Sequence, residues 1–85
     1  MNECYRILEH LMENKQQVRV VYTSGNAIIE VTGKIWLVWN VNGYITMSVS
    51  GAIFGIMAIE SYVIRENELE IIIKPGEKIN LKFLK

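Results

Sequence analysis

Aspartate is absent from this chain; all nine acidic residues are glutamate. That absence excludes Asp-based catalytic triads, EF-hand loops and Asp-held Mg²⁺ sites. Cysteine and histidine occur once each, so one chain cannot assemble a Cys/His zinc site. No metal, no cofactor and no enzyme activity are expected. Cys4 has no intrachain partner, which fits a reducing, cytoplasmic setting. It sits on an apolar helix face and reads as an inert buried thiol. Net charge is also missing, because nine basic residues balance the nine acids. A strongly basic nucleic-acid coat is thereby excluded, though a discrete site is not. What is abundant is hydrophobicity, at 51% of 85 residues, which excludes a disordered tail. A chain of this length forms one domain, 1–85, and buries only about 60% of its extended surface. Its core is small, and a partner or an oligomer would help it.

From Ile35 to Ile59 there is no charged residue, and Gly51 and Gly55 form a GxxxG. A membrane helix is the first reading of such a run. Ile45-Thr46-Met47-Ser48-Val49-Ser50 alternates with period 2, however, and Asn42-Gly43 signals a hairpin. The run is therefore read as strands, with no membrane span. The N-terminus does not read as a signal peptide: Glu3 comes early and no long apolar run follows.

The spacing predicts a helix over 2–14, capped by Asn2, with Cys4, Ile7, Leu8, Leu11 and Met12 on one face. Everything after it reads as β, with a barrel over 17–74 and an extra C-terminal strand over 78–84. Val18, Val20 and Tyr22 alternate with Arg19 and Val21; Thr23 to Asn26 turn the chain. Ile29, Val31, Ile35, Leu37 and Trp39 share the apolar parity of the next strand, which Gly33 is expected to bend. Two hairpin registers follow from Asn42-Gly43. A two-residue loop pairs Trp36, Val38 and Asn40 with Val49, Met47 and Ile45. A three-residue loop, with Gly43 left-handed, pairs Ile35, Leu37 and Trp39 with the same partners. The second matches apolar with apolar throughout and is preferred; it buries Trp39 and leaves Trp36 and Tyr44 outside. Gly51-Ala52 is a turn, and Ile53 to Arg65 reads as one long strand bent near Gly55 or Glu60. Residues 65–68 and Pro75-Gly76-Glu77 are further turns.

A helix and five to six short, bent antiparallel strands outline a small β-barrel of the SH3/Sm type. Within it, Ile64-Arg65-Glu66-Asn67-Glu68-Leu69 resembles the second Sm motif of the Sm-like family. Gly33-Lys34-Ile35 with Asn42 resembles the first. The likeness spans residues 3–73; the tail from Pro75 lies outside it. The first-motif Asp is absent, and Glu66 replaces the family's Gly. The resemblance implies a ring-shaped homo-oligomer that binds uridine-rich single-stranded RNA at its pore. Carried over, it nominates Asn42, with Asn40 beside it, for base-edge hydrogen bonds. Arg65 would stack and meet phosphate, and Asn67 would shape the turn. The plain alternative makes Asn42 a turn residue and Arg65 a solvated charge.

Lys34, Trp36 and Tyr44 form a second surface candidate, either a stacking platform or a subunit interface. His10 reads as a helix-surface residue, and Met1, Met12, Met47 and Met57 as core filler. Glu68 and Glu70 share a strand face, read as solvated although a weak cation site is the alternative. The leading expectation is a non-catalytic RNA-binding oligomer. The rival is a protein-interaction module with the same barrel and no nucleic-acid site.

Overall fold

The computed structural model describes residues 3–42, 44–56 and 59–84. It contains α1 (Glu3–Glu13), β1 (Gln17–Ser24), β2 (Ala27–Val41), β3 (Tyr44–Val49), β4 (Ala52–Ile56), β5 (Ser61–Ile64), β6 (Glu68–Lys74) and β7 (Glu77–Phe83). The strands form one antiparallel sheet in the order β4-β3-β2-β1-β7-β6-β5.

Eleven residues make a helix too short to persist alone, so α1 is held by packing. Cys4, Leu8 and Leu11 are buried, and Ile7 and Met12 pack beside them. The helix ends in a Schellman motif: the Lys15 N–H donates to the Met12 carbonyl and the Gln16 N–H to the Leu11 carbonyl, both at 3.0 Å. Lys15 occupies the left-handed position that glycine usually fills, at φ 55°. The expected Asn2 cap lies outside the described residues.

The sheet has seven strands rather than five to six, and it is not a closed barrel. The expected single strand over 53–65 is two strands, β4 and β5, which lie at opposite edges of the sheet. Five peptide links join Ile56 to Ser61, a reach of at most about 19 Å. In a flat sheet the outer strands of seven would stand about 29 Å apart. The sheet therefore curls until its edges approach, yet no ladder joins β4 to β5 among the described residues. Inside the curl lie Val18, Val20, Ile45, Met47, Val49, Ile56, Leu69, Ile71, Ile79 and Leu81. Each such side chain stabilises the fold by about 1.5–3 kcal/mol on burial.

At Gly33 a Cβ would stand 3.2 Å from the Ser50 Cβ and 3.3 Å from its Oγ. Glycine there lets β2 pass close under the β3–β4 turn. That turn is Ser50-Gly51, one residue earlier than expected, with φ 51° and 87°. The C-terminal strand is not an appendage: β7 sits between β1 and β6, with Ile79 and Leu81 fully buried. Pro75-Gly76 turns the chain into it, as expected.

The hairpin register departs from expectation. Val41 pairs with Tyr44, Asn40 with Ile45 and Val38 with Met47, so the loop has two residues and Asn42 takes φ 53°. A bulge between Ile35 and Leu37 then shifts the register, and Ile35 pairs with Val49. Val38 is buried, whereas Trp39 is 40% exposed and Leu37 is exposed too. Trp36 does face outward, at 80% exposure, but the bulge puts it there and not the longer loop. The conformation assigned to Gly43 lies outside the described residues.

Candidate interaction surface

The charged residues of the sheet collect on one part of its outer side. On β6 and β7, Glu68 stands beside Lys82 and Glu70 beside Asn80. The Arg65 guanidinium lies 2.9 Å from Glu68 and 3.7 Å from Glu70, and the Lys78 ammonium 3.5 Å from Glu70. Asn80 donates to Glu68 at 3.4 Å. Across β1 and β2, Arg19 pairs with Glu30 at 3.4 Å. In each pair the cation is open to solvent, and each contributes about 1 kcal/mol or less.

The outer side of β2–β3–β4 is the opposite. No residue from Ile35 to Ile59 is charged. Ladder rows place Leu37 beside Ser48 and Ile53, Trp39 beside Thr46 and Gly55, and Val41 beside Tyr44. Leu37, Trp39, Val41 and Tyr44 are exposed, and Ile53 is 70% exposed. Thr46 and Ser48 are half-buried between them. This apolar sheet face is broader than the single exposed hydrophobes that ordinary surfaces carry.

Lys34, Trp36 and Tyr44 are all exposed. They do not form one stacking cluster: Trp36 lies five positions before Val41, the partner of Tyr44, about 16 Å along a strand. They mark the ends of the apolar ridge instead. Leu37, Trp39, Val41 and Ile53 were absent from the sequence-derived candidates. Their signal was the charge-free run itself, combined with the bulge that turns them outward.

Asn40 and Asn42 are exposed at the β2–β3 tip, and Arg65 and Asn67 are exposed in the β5–β6 turn. No hydrogen bond or ion pair joins the two turns among the described residues. Arg65 is committed to two carboxylates, and its backbone N–H donates to Glu68 at 2.8 Å. At position 67 the backbone carbonyl accepts the Phe83 N–H at 2.9 Å, a bond that does not involve the Asn67 side chain. Glu68 and Glu70 are engaged by cations of the chain, and the described residues hold no group of three or more potential metal ligands. His10 is on the helix surface, 2.9 Å from the Asn14 amide. Met47 is buried and Met12 half-buried; Met1 and Met57 lie outside the described residues.

Four groups titrate above their ordinary range, Tyr5 among them through burial and the neighbouring Glu9. Burial pushes the Cys4 thiol up to about 11, which keeps it protonated and unreactive near neutrality. The Tyr62 hydroxyl donates to Glu3, and that bond, with burial and the Glu3 charge, raises its pKa to about 12. Tyr22 donates to Glu77 and is raised for the same first reason. Both bonds are structural ties: one fastens α1 to β5, the other β1 to β7. No helix among the described residues is long and apolar enough to cross a membrane. The charge-free run forms β2, β3 and β4, with Gly51 in a turn and Gly55 in a strand.

No protein-family model matches the chain, and neither any curated protein nor any solved structure matches it.

Proposed function

We propose that this chain is a non-catalytic assembly module that binds a protein surface through the outer face of β2–β3–β4. The observation that carries the reading is the charge-free apolar face of Leu37, Trp39, Val41, Tyr44 and Ile53, with Trp36 beside it. Depletion of charge and enrichment of aromatics are marks of an interface core. The lone buried thiol suits a reducing compartment. RNA binding at Arg65 and Asn42 is less well supported. A phosphate would have to compete with Glu68 and Glu70 for the guanidinium charge, and Glu66 adds a further carboxylate to the same turn.

One experiment separates the two. A photo-crosslinking amino acid at position 36, which is open to solvent, is activated in cells producing the chain. The expected adducts are protein-sized and resist nuclease, and a crosslinker at Lys74 on the charged side gives none. Nuclease-sensitive adducts would favour RNA, and no adduct from position 36 would overturn the reading.

A further inference from the structure

Resting on that reading, we propose that the occupant of the β2–β3–β4 face is a second copy of this chain, packed about a two-fold axis with its β2 ridge over Gly55. Gly55 is the observation that points to a close neighbour. It lies inside β4, where glycine weakens a strand and is retained for a bulge, a bend or a close backbone approach. The β3–β4 ladder runs through it without a register shift, Thr46 beside Gly55 and Met47 beside Phe54. A Cβ built on Gly55 meets no heavy atom within 4 Å, and its φ is not in the left-handed region. Nothing among the described residues crowds that position or demands glycine there. A neighbour seated against the bare backbone does.

The relief of the face is self-complementary. Leu37, Trp39 and Val41 stand as a ridge on β2. Beside them, small Thr46 and Ser48 on β3 and bare Gly55 on β4 form a trough, bounded by Ile53. A two-fold axis places the ridge of each copy in the trough of the other, the isologous geometry of most dimers. The exposed parts of Trp36, Leu37, Trp39, Val41, Tyr44 and Ile53 amount to about 700 Å², close to the roughly 800 Å² each partner contributes to a standard interface. Charge points the same way. The face from Ile35 onward carries no charged group, with Lys34 only at its margin, so it offers little handle for a charged partner and meets little repulsion from its own copy.

Sedimentation velocity on the purified chain, from low to high micromolar, tests this. The wild type is expected to sediment at twice the 9.8 kDa chain mass. Gly55→Leu fills the trough and is expected to weaken the dimer at least ten-fold, as is Trp39→Ser, the loss typical of a central contact. Circular dichroism and urea midpoints check that both variants fold; should Gly55→Leu fail to, Trp39→Ser decides alone. A wild-type monomer at all concentrations overturns the proposal. If the position-36 crosslinker then still captures a different protein, the assembly reading survives; if it captures nothing, both fall. A dimer or ring indifferent to both substitutions also overturns it, and points to pairing through the open β4 or β5 edges.

Discussion

Val38 sits opposite Met47, both inside the curled sheet, and this pairing sends Trp39 to the surface. With a two-residue loop at the tip, Val38 takes the inward parity of β2, and Trp39 and Val41 take the outward one. The bulge at Trp36 restores Ile35 to the interior and leaves Trp36 and Leu37 both outside. One irregularity in one strand thus builds the apolar face.

The register is testable by stability. Met47→Ala removes a fully buried side chain and should cost about 2–5 kcal/mol. Trp39→Ser, measured where the chain is monomeric, should cost less, about 1–2 kcal/mol, because 40% of the residue is already open to water. Urea denaturation of both variants reads the difference. Equal, large losses would mean that Trp39 is in the core.

Lys15 closes α1 from a left-handed conformation that costs a non-glycine residue about 1 kcal/mol. Its side chain makes no ion pair or hydrogen bond with the described residues. Lys15→Gly should therefore stabilise the fold by about 0.5–1 kcal/mol, less the entropy that glycine adds to the unfolded chain. An upward shift of the thermal midpoint is the expected result.

Alkaline pH should loosen the helix. The folded pKa of Tyr62 is raised from 10.0 to about 12, so the folded state holds this proton more tightly than the unfolded one. The resulting stability is complete below pH 10 and is lost as pH rises towards 12. Cys4, raised from 9.0 to about 11, acts with the same sign in a window one pH unit lower. Urea midpoints of wild type should fall across pH 9–12. Tyr62→Phe should start lower and fall less above pH 10; identical pH profiles would show that the Glu3 bond contributes nothing.

Much of the fold was legible in the chain. The 3/4 spacing of Cys4, Leu8 and Leu11 gave the helix face, and Asn42-Gly43 and Pro75-Gly76 gave turns. The bulge was not legible, because Ile35 to Trp39 are all apolar and their parity is silent about which side is in. The split of 53–65 was hidden for the same reason. The central place of β7 rests on pairing with β1, more than fifty residues away, and local pattern does not report such pairing. The candidate surface inherits the first gap: the charge-free run was plain, but its outward side depends on the bulge.

The central claim is that the β2–β3–β4 face is covered in the working assembly. Acrylamide quenching of tryptophan fluorescence tests it most directly, because Trp36 and Trp39 are the two tryptophans of the chain and both lie on that face. Raising the concentration of the purified chain from low to high micromolar should lower the quenching constant, and Gly55→Leu should abolish the change. Tryptophans equally open to quencher at every concentration, in a chain that remains folded, would contradict the account.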